Sequence, residues 1–179
     1  MRPWHAALTA ALAAVLVSAT AVRNGFVEDD HWVVEQRPLL QHPPSASAVI
    51  SAPYWPPSFG GSLWRPAVLA TYALDYRVSS GPGWFHAVNV LWAAAAAAVL
   101  ALLAAALADA GTGLAVGLLF AVDPVHVEAV ANVVGRAELM AAVGYGLALI
   151  GALRAEKSRA WLAGVVLGGA FAIASKEHA

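Results

Sequence analysis

Residues 92–107 read WAAAAAAVLALLAAAL, 16 positions without a charge or a hydrogen-bonding group apart from the indole of Trp92. Extended at both ends to about Trp84 and Ala108, the run carries only His86 and Asn89 as strongly polar residues. About 20 apolar residues in a helix span the roughly 30 Å hydrocarbon core of a bilayer, so this stretch reads as a membrane-spanning helix. It decides the fold class, because a chain with one such helix must satisfy every backbone group inside the bilayer.

Working outward, the rest of the chain agrees. Of 179 residues, 60% are apolar and only 12% are Asp, Glu, Lys or Arg, where soluble domains carry about a quarter charged. Further apolar stretches lie at about 5–22, 110–122, 137–153 and 160–174. The expected fold is therefore all-α: a polytopic membrane protein of about five transmembrane helices. The first stretch follows Arg2 and ends on Ala19-Thr20-Ala21, so a cleaved signal peptide competes with an uncleaved helix, which the stretch's length favours. The third is short for a span, and Asp123-Pro124 interrupts it.

Residues 23–83 differ in kind. They hold eight of the ten prolines and the aromatic group Tyr54, Trp55, Phe59 and Trp64. This is a long extramembrane loop with interfacial aromatics, in which Ala67–Leu74 reads as a helical turn or two. Arg154, Lys157 and Arg159 crowd the loop between the last two spans, which places that loop in the cytoplasm. Counting back, the loops 23–83 and 123–136 and the tail 175–179 share the opposite face. The net charge of −1 gives no reason to expect a nucleic-acid partner, and the absence of cysteine removes thiolate metal sites and cysteine nucleophiles. Composition rich in alanine, glycine and arginine suggests a bacterium of high genomic GC.

Three polar clusters fall on that shared face. Glu28-Asp29-Asp30 follows the first span, and carboxylates this close either raise a pKa or need a cation, though a solvated acidic step is the plainer reading. Within DPVHVEAVANVVGRAE, 123–138, Glu128, Asn132 and Arg136 recur at i, i+4 and i+8 opposite Val127, Val130 and Val134. That spacing predicts one short amphipathic helix at the membrane surface. Lys176-Glu177 follows the last span. Arg65 suits a phosphate or an interface, Asp75 and Arg77 read as a local loop pair, and His86 and Asn89 sit near enough to the interface to meet water.

The order of five blocks is familiar. FVEDDHWVVEQ, LWRPAVLATYALDY, GPGWFHAVNVLW, LLFAVDPVHVEAVANVVGRAELMAA and ASKEHA resemble the transmembrane and tetratricopeptide-repeat O-mannosyltransferases, within the type C glycosyltransferase superfamily. The resemblance implies a membrane enzyme that moves a mannose-like sugar from a polyprenyl-phosphate donor to a hydroxyl acceptor, a protein Ser or Thr. Transfer goes with inversion on the extracytoplasmic face. It implies Asp29 as catalytic base with Asp30 as the alternate, and donor phosphate or substrate binding by Arg65, His126, Glu128, Arg136, Glu138, Lys176 and Glu177. No organic cofactor is expected, and a divalent metal is left open. Expected partners are the polyprenyl-linked sugar, a protein acceptor and the bilayer, in a bacterial inner membrane with the active face to the periplasm or exterior.

Two departures stand out. Asp123 replaces a histidine of the family's second block, and Trp92 stands where relatives usually carry another histidine. Relatives also have more spans, and many continue into tetratricopeptide repeats, of which this sequence shows none. The resemblance thus implies an amino-terminal portion of the membrane domain. Two competing readings follow from the residues: a non-catalytic scaffold that keeps the fold, and a transporter, which the absence of mid-membrane charge disfavours.

Overall fold

A computed structural model describes residues 1–177. Helices account for all the regular structure among the described residues. The chain opens with α1, Pro3–Ser18, continued as a 3₁₀ turn over Ala19–Arg23. The first outer loop contains three short helices, α2 (Pro38–Gln41), α3 (Ala46–Ser51) and α4 (Pro66–Asp75). Then come α5 (Pro82–Leu107), α6 (Ala110–Val122), α7 (Val127–Ala131), α8 (Arg136–Ala155) and α9 (Leu162–Ser175). Local sequence sets several of these starts. Proline opens α4 and α5, where its missing N–H costs nothing. Asp109 caps α6 by accepting from Gly111 N at 2.7 Å and Thr112 N at 3.0 Å.

Among the described residues three helices are long and apolar enough to cross a membrane, Pro3–Arg23, Pro82–Leu107 and Arg136–Ala155, and a fourth span is reached if the bent pair Ala110–Val122 and Pro124–Ala131 counts as one. This is an integral membrane protein, with fewer full-length candidates than the five spans expected. The third apolar stretch gives a 13-residue helix, about 20 Å long, which then bends by 53° into residues 124–131. The bend has a local cause, since Asp123 leaves the helix and caps a new turn through Val125 N at 3.0 Å. The last stretch, Arg159–Ser175, is apolar but shorter than a full span.

Inside the helical layer the contacts are made by small residues. Ala7, Ala10 and Ala14 of α1 meet Ala94, Ala97 and Ala101 of α5, with α6 packed against both. A methyl group on Gly117 of α6 would stand 2.6 Å from Ala10 Cβ. Helices α8 and α9 touch backbone to backbone at Gly144 and Gly168. A second kind of core lies above them, where Val33, Val34, Leu40, Val68, Leu69 and Phe85 bury the first outer loop against the start of α8. This outer layer positions the candidate site.

Candidate active site

Glu28, Asp29 and Asp30 leave the first helix on a strained step. Glu28 has φ +44°, in the left-handed region that residues other than glycine seldom occupy. Asp30 N then donates to Val27 O at 2.9 Å, and the next turn widens to i→i+5 bonding over His31–Glu35, closed by Gln36 N on His31 O at 2.8 Å. The two aspartates consequently part company. Asp29 is exposed, whereas Asp30 has no solvent-accessible surface. His31 turns aside and pairs with Glu35 at 2.6 Å.

Asp30 is used up by backbone. Its Oδ2 accepts from Val133 N at 3.1 Å and Val27 N at 3.2 Å, and its Oδ1 accepts from Val134 N at 2.8 Å. This corrects the single amphipathic helix expected over 123–138. Once a distant carboxylate takes the N–H groups of Val133 and Val134, the helical ladder stops at Ala131, and Asn132 turns extended with ψ 140°. Gly135 makes the tight return, because a Cβ there would overlap the Ala129 carbonyl.

Arg136 also differs from its expected place at a donor phosphate. It is fully buried, and its guanidinium forms an ion pair with Asp75. It further donates from Nε to Asn89 Oδ1 at 2.8 Å, from Nη1 to Thr71 Oγ1 at 3.1 Å and from Nη2 to Phe85 O at 3.0 Å. The Tyr72 ring lies 4.7 Å from its Cζ. Asp75 is thus tied to Arg136 and to Trp84 Nε1 at 3.2 Å, not to Arg77, which is exposed. His86 and Asn89 are buried too. His86 Nε2 meets Gly25 O at 3.1 Å, and Asn89 Nδ2 donates to Asn132 O at 2.8 Å.

The remaining expected residues come together. A cavity of about 520 Å³ opens between the two outer loops and the ends of α8 and α9. Asp29, Arg65, His126, Glu128, Glu138 and Lys176 line it, although they come from parts of the sequence as much as 147 positions apart (176 − 29). Arg65 grips Glu177 with two bonds, Nε to Oε2 at 2.8 Å and Nη2 to Oε1 at 2.6 Å. Lys176 is ion-paired with Glu138. Asp29 and Glu128 have no hydrogen-bonded side-chain partner among the described residues.

Among the residues not singled out as site members, Tyr54, Trp55 and Asn132 also line this cavity. The aromatic pair read from sequence as interfacial, since nothing local distinguishes a cavity wall from a membrane anchor. Arg65 Cζ stands 4.5 Å over the Tyr54 ring. Burial pushes the Tyr54 phenol up to about 12. Burial works to lower the Arg65 pKa, but its bonds to Glu177 and the nearby Tyr54 outweigh that and leave it raised. The Lys176 ammonium is drawn below its usual range by partial burial and the Arg65 charge, against the pull of Glu177. No group of three or more His, Cys, Asp or Glu side chains among the described residues is placed to hold a metal ion. Beyond α7 lies a smaller, mostly apolar cavity of about 280 Å³, and His126 borders both.

Fold and site define a class: a helical integral membrane protein with a charged cavity between its outer loops. Its sequence relatives narrow that class. The chain is 36% identical over 152 residues to Protein O-mannosyl-transferase Tmtc2 of Drosophila melanogaster, covering 78% of this chain and 16% of that protein. It is 33% identical over 156 residues to Protein O-mannosyl-transferase TMTC1 of Mus musculus, covering 83% and 17%. Against Protein O-mannosyl-transferase TMTC4 of Mus musculus the figures are 30% over 175 residues, covering 87% and 24%. No family model and no solved structure matches the sequence. On these relatives the chain belongs to the TMTC protein O-mannosyl-transferase family. It spans between 16% and 24% of their length.

Proposed function

We propose that this chain forms part of a glycosyltransferase that moves a mannose-like sugar from a polyprenyl-phosphate donor to a Ser or Thr hydroxyl of a protein. Transfer occurs on the extracytoplasmic side, in a bacterial inner membrane the periplasmic side. One observation carries the reading: Asp29, Arg65, His126, Glu128, Glu138 and Lys176 share one cavity at the outer end of the helices. The names of the relatives supply the reaction class.

The chemistry divides between two sides of that cavity. Asp29 takes the proton of the acceptor hydroxyl, whose oxygen attacks the anomeric carbon from the face opposite the phosphate. The bond from that carbon to the phosphate oxygen breaks, its electron pair leaves with the phosphate, and the configuration inverts. Arg65 and Lys176 stabilise the charge that develops on the departing phosphate. These cations hold Glu177 and Glu138, so the donor phosphate exchanges with carboxylates already in place. Glu128, His126 and Asn132 are left to orient sugar hydroxyls.

Those same ion pairs favour a second reading, in which the cavity is neutralised by its own chain and the protein is a non-catalytic scaffold. Asp29→Asn in the full-length protein separates the two. Loss of at least about 100-fold in sugar transfer, with membrane insertion intact, is expected of a general base. Undiminished transfer overturns the assignment, and donor binding without transfer in the wild type establishes the scaffold.

A further inference from the structure

Asp29 and Asp30 are neighbours with opposite environments, and the second has work of its own. Consider the backbone of residues 132–134, which runs along the floor of the cavity. Asn132 O accepts from Asn89 Nδ2 at 2.8 Å. Val133 N and Val134 N go to Asp30, and Val133 O accepts from Tyr72 Oη at 2.9 Å and Asn89 Nδ2 at 3.2 Å. Helix α8 starts from the same segment, with Arg136 N on Val133 O at 3.1 Å and Ala137 N on Val134 O at 3.4 Å. The segment therefore belongs to no regular element, yet the N–H groups of Val133 and Val134 are held from the first outer loop and the carbonyls of Asn132 and Val133 from α4 and α5. A backbone so completely satisfied from several directions has one position, not a range of them.

What that position sets is the far wall of the cavity. Glu128 precedes the segment, Asn132 begins it and Glu138 follows it, all lining the cavity that Asp29 enters from the other side. We propose that Asp30 is a positioning residue: its carboxylate clamps the N–H groups of Val133 and Val134, and so fixes Glu128, Asn132 and Glu138 at their working distance from Asp29. The inference rests on the reading of the cavity as the site of sugar transfer. It departs from a pair of interchangeable acids. With both oxygens accepting from backbone and no surface open to a substrate, Asp30 reaches the reaction only through the loop it holds. Asparagine cannot replace it, because an amide offers one acceptor oxygen where both carboxylate oxygens are engaged, and its NH₂ would face an N–H donor.

The test compares Asp29→Asn and Asp30→Asn in the full-length protein in lipid nanodiscs, with a mannosyl-phosphoryl polyprenol and a Ser/Thr peptide as substrates. Asp30→Asn is expected to lower kcat per folded molecule on the order of 100-fold, the cost of an ångström-scale misplacement. The donor KM should change far less than kcat, since the phosphate contacts Arg65 and Lys176 lie outside the clamped loop. Its residual rate should keep the shape of the wild-type pH profile. Amide hydrogen exchange at Val133 and Val134 should rise in Asp30→Asn and stay at the wild-type level in Asp29→Asn. Tyr72→Phe, which removes a single hydroxyl from the carbonyl side of the clamp, should show the same pattern more weakly and serves where Asp30→Asn does not fold.

Transfer lost in Asp29→Asn but at the wild-type kcat in Asp30→Asn overturns this proposal alone. So does an Asp30→Asn enzyme whose pH profile departs from that of the wild type, which would make Asp30 the base. A fall only in folded yield, with kcat per folded molecule unchanged, reduces Asp30 to a structural residue and overturns the proposal as well. Transfer undiminished in Asp29→Asn overturns the reading of the cavity, and this proposal with it.

Discussion

The helical layer and the outer layer of this protein are held together by opposite means. Between α1, α5 and α6 the buried surface is alanine, and between α8 and α9 glycine lets backbones touch. Above them, Asp30, Asp75, His86, Asn89 and Arg136 are buried and bonded to one another or to backbone. The contrast follows from the solvent. Lipid gives helices no hydrophobic reason to associate, so close van der Waals fit must do it. The outer layer is a set of short helices and irregular loops, whose backbone groups find partners in buried side chains. One layer is thus vulnerable to added volume, the other to a lost partner.

The largest effect should come from the outer layer. Arg136→Leu strips Asp75 of its buried countercharge and should cost about 3–5 kcal/mol of unfolding free energy. Denaturant titration in detergent measures it. Recovery on adding Asp75→Leu would show that the penalty lies in the orphaned charge, and an unchanged loss would place it in the bonds to Asn89 and Phe85.

Alkaline pH attacks the same layer next. Tyr54 has its pKa raised from 10.0 to about 12, and burial raises that of Tyr72 as well. A raised folded-state pKa means that this stability is complete below about pH 10 and is lost as pH rises through 12. For Tyr54 that is about 3 kcal/mol. Stability measured against pH should fall over that interval in the wild type and fall less in Tyr54→Phe; matching curves would remove the buried phenol as the cause.

The helical layer gives the smaller effects. A methyl group at Gly168 would lie 2.7 Å from Ala148 N and 2.8 Å from Gly144 O, so Gly168→Ala should destabilise by about 1–3 kcal/mol. The adjacent Gly169 has nothing within 4 Å of a Cβ, so Gly169→Ala should be neutral or stabilise by up to about 1 kcal/mol. Resistance to unfolding by detergent, compared between these neighbours, would sharpen the contrast. Equal behaviour would break the claim that backbone proximity governs this layer.

The same division explains what the sequence discloses. The apolar stretches expected at 84–108, 110–122 and 137–153 correspond to Pro82–Leu107, Ala110–Val122 and Arg136–Ala155. Hydropathy reports them because it is a local property with a long repeat. The gathering of Asp29, Arg65, Glu128 and Lys176 was legible through loop charge and the ordered blocks. The burial of Asp30 and Arg136 was not, nor the break at Asn132. Each depends on a partner far along the chain: Asp30 meets Val133 across 103 positions, and Arg136 meets Asp75 across 61. A helical pattern of Glu128, Asn132 and Arg136 is locally sound, and it loses to a carboxylate that no window around it contains.

The grip of Arg65 on Glu177 has a consequence for the order of biosynthesis. The two residues are 112 positions apart, so at about 5–20 residues per second the arginine waits on the order of ten seconds for its partner to be made. The clamp between Asp30 and Val133 is available several seconds sooner. A chain made in that order docks its two loops before the charge of Arg65 is balanced, which needs the end of α9. During that interval the loops are docked while Arg65 stands without its countercharge, open to any anion on that side of the membrane.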